Sequence, residues 1–334
     1  RDLHSFPTRR SSDLEIHLPQ SQEWFYYRFL QATIITVFFW ASGYLKKDRE
    51  STKDRWHKYW ISLILPYLLY NALVYPFWLV RFYLQNGGMP DLFHAMRPIL
   101  GALLFQHENS FTEPLNGSLW YLPAILFMHL LIDWCRKGRH LHAIMITLCF
   151  LSVILYAANK RYEFLPNLTP IGIFSRLPYY YIGYVMGQRK MFRQCHFKRD
   201  LLMCLGCFSL SFLVFFWHLH EGNFLLHIVL FYPVNLLFLF GTLYGCLLLD
   251  RYKANIVINL SIGTLVIIGL HYPLVSLTNL ILKHLLGLSG NICYHWYTAL
   301  PVTIIILAVL YPIIVIAKRH FPILLGKKDA KGLF

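Results

Sequence analysis

Nine stretches of this sequence are too long and too apolar for the surface of a soluble protein: residues 24–45, 59–83, 118–135, 141–158, 171–187, 200–217, 223–249, 258–281 and 297–317. A helix rising ~1.5 Å per residue needs roughly 17–25 residues to cross ~30 Å of hydrocarbon, and each stretch supplies about that length. Lipid offers the backbone no hydrogen-bond partners, so such runs close their bonds internally, as helices. The expectation is an all-α membrane protein, a polytopic helical bundle with nine visible transmembrane helices. A tenth apolar stretch, RPILGALLF at 97–105, is too short to cross and is expected to lie in the interface or fold back.

Composition agrees: 57% of the residues are hydrophobic and 14% charged, against about 25% charged in a soluble domain. The formal charge of +15 would suggest nucleic acid in a soluble protein. Where the basic residues fall decides otherwise. Residues 46–58, KKDRESTKDRWHK, hold six Lys/Arg, and 136–140, 188–200, 250–255 and the tail from Lys318 are also basic. The intervening loops are poor: 84–117 hold Arg97 alone, 159–170 two, 218–222 none and 282–296 one. Rich and poor loops alternate without exception. By the positive-inside rule the first run enters from outside, and 46–58 and the C-terminus are expected on the cytoplasmic side of a cell (plasma or inner) membrane. The partner that the charge implies is the lipid bilayer, and nucleic acid is not needed.

No soluble domain, flexible linker or internal repeat interrupts the chain. Cys204 and Cys207 form a C-x-x-C inside an apolar run, which reads as small residues at a helix–helix contact rather than as a redox motif. His218, His220 and Glu221 lack the further ligand that a metal site needs, so no metal is expected. Residues 4–14, HSFPTRRSSDL, have the look of a translated adapter, so 1–14 is expected to be non-native and 15–334 a single transmembrane domain. No apolar core precedes residue 24, which excludes a secretory signal within the sequence.

Five motifs on these runs carry a resemblance. They are VFFWASGYLKK (37–47), KYWISLILPYLLYNAL (58–73), NGSLWYLPAILF (116–127), SRLPYYYIGYVMG (175–187) and GLHYPL (269–274). Together, and in this order, they resemble the acyltransferase-3 family of integral membrane acyltransferases, in its sugar O-acetylase-like branch, from about residue 24 to 317. The resemblance implies ten spans and a first helix with an Arg and, about eleven residues on, the catalytic His base. Run 24–45 matches the second helix of that plan, so the expected base lies in a first helix that the chain lacks. It further implies transfer of an acyl group, acetyl above all, from acyl-CoA to a hydroxyl of a cell-surface or exported carbohydrate. Acyl-CoA is then a co-substrate and no cofactor is needed.

Site residues follow from the resemblance and from the cost of polar groups in lipid, roughly 2.5–3.5 kcal/mol for a central charge. Arg55 and Lys58 stand where the family has R-x-x-R, which implies contact with acyl-CoA phosphates; ordinary membrane anchoring is the other reading. His271, mid-span and two residues before Pro273, and Arg176, in the outer third of its run, are the catalytic candidates within the chain. Ser42, Asn71, Trp120 and Arg28 are candidate substrate contacts. Each has a structural alternative: packing for Ser42, cross-helix bonding for Asn71 and His271, interfacial anchoring for Trp120, and snorkelling for the arginines. Two rival functions share the composition, a glycan or small-molecule transporter and an assembly partner of an export complex.

Overall fold

A computed structural model describes residues 25–46, 52–105, 112–138, 140–162, 169–189, 196–220, 223–249, 255–286 and 296–328. The adapter-like segment and the centres of several basic loops lie outside them. Regular structure among the described residues is helical, with no strand. In chain order the helices are α1 (Phe25–Tyr44), α2 (Thr52–Tyr59), α3 (Leu65–Asn86), α4 (Leu92–Leu103), α5 (Tyr121–Cys135), α6 (Leu141–Tyr162), α7 (Thr169–Gln188), α8 (Phe197–His220), α9 (Phe224–Leu249), α10 (Asn255–Ile262), α11 (Thr264–Leu286) and α12 (Trp296–His320).

Among the described residues, seven helical stretches are long and apolar enough to cross a membrane: Asp54–Leu84, Gly117–Cys135, Leu141–Tyr162, Phe197–His218, Phe224–Leu249, Thr264–Leu282 and Leu300–His320. The other two expected runs, 24–45 and 171–187, fall on α1 and α7. The chain is an all-α polytopic membrane protein. The short stretch at 97–105 overlaps α4, whose 12 residues reach only ~18 Å.

Punctuation is local. α3 stops at Gly87, whose φ of +70° a side chain would strain, and the Gly87 N–H closes the last turn on the Tyr83 carbonyl. α4 starts at Asp91, whose carboxylate accepts from the His94 N–H at 2.8 Å. The helical path from α2 into α3 passes through a π-turn, Trp60–Ile64, where the Leu65 N–H reaches back to the Trp60 carbonyl. Pro66 follows it and has no N–H for the Ser62 carbonyl four residues earlier.

The described residues fall into two units, one drawn from Tyr59–Pro123 and Asn259–Phe334, the other from Gln22–Lys58 and Ala124–Ile258. In the first, Tyr70, Leu119, Leu310 and Ile314 are fully buried in one cluster. The Tyr70 ring lies against Gly269 of α11, where any β-carbon would collide with it, and its hydroxyl donates to the Leu324 carbonyl at 2.8 Å. One tyrosine thus ties α3 to α11 and to the 3-10 turn Pro322–Leu325.

In the second unit α8 and α9 pair antiparallel. Ser211 Oγ donates to the Val234 carbonyl at 2.8 Å, and Cys204 Sγ lies 3.5 Å from where a β-carbon would stand on Gly245. Cys204 therefore lies at a helix–helix contact. α1 and α7 approach closely enough for backbone to meet backbone: a β-carbon on Gly43 would collide with the Tyr180 carbonyl, one on Gly183 with that of Trp40, and one on Gly187 with that of Tyr44. Gly183 and Gly187 are a small-xxx-small pair, the usual device for close packing in lipid, where no hydrophobic force draws helices together.

Candidate functional site

Three polar clusters within these helices hold expected site residues, the first of them around His271. Pro273 carries no N–H, which leaves the carbonyl four residues earlier, that of Gly269, without its helical donor. Asn116 supplies the missing bond: its Nδ2 donates to the Gly269 carbonyl at 2.9 Å, while its Oδ1 accepts from the Ser118 N–H at 3.2 Å. That second bond caps the 3-10 turn Gly117–Trp120 and brings Ser118 Oγ to 3.3 Å from His271 Nε2. The other ring nitrogen, Nδ1, faces the carbonyls of Ile267 and Ile268 at 2.8 and 3.1 Å. Carbonyls only accept, so Nδ1 carries the proton, and Nε2 of the neutral ring presents its lone pair to the serine hydroxyl. The arrangement is a fixed imidazole with its basic nitrogen on an alcohol.

The second cluster centres on Asp133 near the end of α5. Lys46 Nζ lies 2.8 Å from Asp133 Oδ1, and Arg55 Nη1 lies 3.4 Å from the same oxygen. The Lys46 side chain is only 3% exposed and that of Asp133 16%, so the pair is largely removed from water. One turn earlier on α5, the His129 ring is hydrogen-bonded to the Tyr180 hydroxyl of α7. Lys58 is exposed on α2, one turn beyond Arg55.

The third is Arg176 on α7. Its Nη1 donates to Ser175 Oγ at 2.5 Å, its Nη2 to the Ala32 carbonyl at 3.4 Å, and its guanidinium carbon stands 5.2 Å from the centre of the Phe231 ring. The described residues place no carboxylate against it.

The remaining expected contacts are dispersed. Ser42 Oγ donates to the Phe38 carbonyl of its own helix at 2.9 Å, beside Gly43 in the α1–α7 contact. Asn71 is buried, and its Nδ2 donates to the Tyr67 carbonyl one turn back at 2.8 Å. Trp120 closes the 3-10 turn that begins at Gly117. Arg28 lies on α1, and its side chain is outside the described residues.

Asp133, Lys46, Asn116 and Ser118 are among the residues of these clusters that escaped the sequence reading. Asp133 carried a usable signal, as a carboxylate inside an apolar run, which lipid tolerates only when paired. Lys46 looked like one more basic loop residue. Asn116 and Ser118 lay inside a quoted motif, but their partners are on α11, over 150 positions away.

These features define a class, the polytopic helical membrane proteins with paired charges and a hydrogen-bonded imidazole inside their spans. Residues 4–319 match the acyltransferase-3 family model, described as an acyltransferase domain, and the chain belongs to that family. It is accordingly a membrane acyltransferase. No curated protein and no solved structure matches the chain.

Proposed function

We propose that the chain moves an acyl group, acetyl in the simplest case, from acyl-CoA to a hydroxyl of an exported or cell-surface carbohydrate, as in the sugar O-acetylase-like branch. The observation that carries this reading is the His271 ring, with Nδ1 committed to two carbonyls and Nε2 directed at a hydroxyl. A weakly acidic sugar hydroxyl needs a base as it attacks a thioester, and imidazole serves near neutral pH. With the acceptor hydroxyl standing where Ser118 Oγ now lies, Nε2 takes its proton as the oxygen attacks the thioester carbon. The carbon–sulfur bond then breaks, and the CoA thiolate leaves with the proton from the imidazolium.

The donor side rests on Arg55 and Lys58. Lys46 and Arg55 share the single carboxylate of Asp133, so this trio carries an excess positive charge, which suits the phosphates of CoA. The basic loops favour a reading in which this end and the C-terminus face the cytoplasm across a plasma membrane, the side on which acyl-CoA is made.

The test is acyl transfer from labelled acetyl-CoA in membranes carrying His271→Gln or Ser118→Ala. The glutamine variant is expected to lose ~10²–10⁴ in rate, while Ser118→Ala, which removes a stand-in hydroxyl, keeps transfer within about tenfold, since a neutral hydrogen bond contributes only ~0.5–1.5 kcal/mol. Undiminished transfer by His271→Gln returns this histidine to helix packing and moves the base to the helix that the family resemblance sets ahead of residue 24. Arg55→Gln with Lys58→Gln should raise the KM for acetyl-CoA, more so at low salt, with little change in kcat.

A further inference from the structure

Arg176 is a cation enclosed by hydroxyls and rings. Its hydrogen bonds to described residues use two of the five N–H donors of a guanidinium, one to the neighbouring serine and one long bond to a carbonyl. Nε is buried and has no partner among the described residues, and the buried Tyr232 hydroxyl has none either. The groups around it are aromatic: Phe231 beneath the guanidinium, Tyr156 at 5.6 Å from Phe231, and Tyr232 at 5.5 Å from Phe231 and stacked on Tyr179 at 5.9 Å. The Tyr179 hydroxyl is spent on the Tyr232 carbonyl at 3.0 Å. Two buried donors of this cluster, Arg176 Nε–H and Tyr232 O–H, thus have no acceptor among the described residues.

We infer that Arg176 and Tyr232 form a binding site for the carboxylate of an acidic sugar, with Phe231 and Tyr156 providing apolar faces for the ring. The carboxylate follows from the geometry. A guanidinium edge made of Nε–H and one terminal N–H matches the two oxygens of a planar carboxylate, and the tyrosine hydroxyl adds a third donor. One positive charge balances one carboxylate, whereas a phosphate monoester brings about −1.5 to −2. That the anion belongs to the acceptor rests on the carbohydrate reading above; the site itself does not. If both hold, the enzyme selects acidic glycans such as uronate-containing ones.

The test measures binding, not turnover, so that a failed acyl-transfer assay leaves it intact. The purified full chain in lipid nanodiscs is titrated with glucuronate, glucose 1-phosphate and glucose, following thermal stability and heat. Glucuronate is expected to bind and to raise the melting temperature, while glucose is silent and glucose 1-phosphate is weaker than glucuronate. Arg176→Lys keeps the charge and loses the fork, which should weaken glucuronate by roughly tenfold or more. Tyr232→Phe, which alters one buried oxygen and leaves the helices intact, should weaken it several-fold, and Arg176→Gln should abolish it. Wild type indifferent to glucuronate, variants that respond as wild type does, or glucose 1-phosphate preferred over glucuronate would each overturn the assignment. A chain that binds glucuronate but acylates only neutral glycans keeps the site and loses the acceptor reading.

Discussion

In the unit built on α3, α11 and α12, four buried or half-buried polar side chains are neutral and close on backbone. Asn116 bonds the Gly269 carbonyl, Asn71 that of Tyr67, Tyr70 that of Leu324, and His271 those of Ile267 and Ile268. In the unit containing α1, α5 and α7 such side chains include charges: Lys46 and Arg55 on Asp133, and Arg176 among aromatic rings. The first kind of site is cheap. A proline breaks a helix, a carbonyl comes free, and a side-chain amide from elsewhere takes it. The second kind is costly, because removing charges from water is repaid only by close pairing. Neutral groups of the first kind suit proton transfer, and charges of the second suit holding anions.

The largest effect should come from breaking the charged side of this contrast. Asp133→Leu leaves Lys46, 3% exposed, facing an apolar group. Loss of one partner of a buried pair costs ~3–5 kcal/mol, measurable by unfolding in mixed micelles. Replacing both partners, Lys46→Met with Asp133→Leu, should recover much of the loss, because the more deeply buried cation goes with its carboxylate and only the longer 3.4 Å contact of Arg55 is lost. A single variant that costs under about 1 kcal/mol would show the pair to behave as an exposed one.

The neutral side breaks more gently and in a way that identifies its cause. Asn116→Leu leaves the Gly269 carbonyl unpaired and should cost ~1–3 kcal/mol. Pro273→Ala restores the backbone N–H that Gly269 lacks, so in that background the same Asn116 substitution should cost much less. Equal costs in both backgrounds would mean that Asn116 acts through its cap on Ser118 instead. The same double variant should retain the position of His271 and, with it, acyl transfer.

The two kinds of site also differ in how far the sequence shows them. Helix positions were plain because apolarity and length together leave few alternatives: the run 223–249 became Phe224–Leu249, and 141–158 became Leu141–Tyr162. Helix starts in polar sequence were not. α2 extends the second span seven residues back from residue 59 into the basic loop, where polar helix formers with Asp54 in the first turn continue the helix beyond its apolar stretch. The π-turn at Trp60–Ile64 left no periodic trace, although Pro66 marked the place. His271 and Pro273 showed that α11 carried a free carbonyl, but nothing in the sequence says that Asn116 receives it, because that pairing depends on tertiary packing. Asp133 is legible as a carboxylate in an apolar run, and beside Lys46 it indicates a buried partner for a basic residue at the end of α1.

The smallest effect expected is at a charged contact of the first unit, Asp91 with His94 at the start of α4. It is the exposed counterpart of Asp133 with Lys46. The carboxylate lies 2.6 Å from His94 Nδ1, with side chains 66% and 47% exposed, and also caps the His94 N–H. The backbone bond from His94, and then the bond from its ring, hold the Asp91 carboxyl below its ordinary value of 3.8. A carboxylate lowered in this way stabilises the folded state above its unfolded value. That contribution is lost as the pH falls through the lowered one, in the window below about pH 4. Water and salt screen so exposed a pair, so the loss should be confined to the first turn of α4. Asp91→Ala should speed amide exchange over residues 92–95 at neutral pH without a measurable change in global unfolding. Asp91→Asn keeps a capping oxygen and should exchange almost as wild type does, with the acid dependence below pH 4 removed. If Asp91→Ala instead destabilised the chain as much as Asp133→Leu, exposure would not be what separates the two pairs. The contrast between a screened charge and a buried one would then fail.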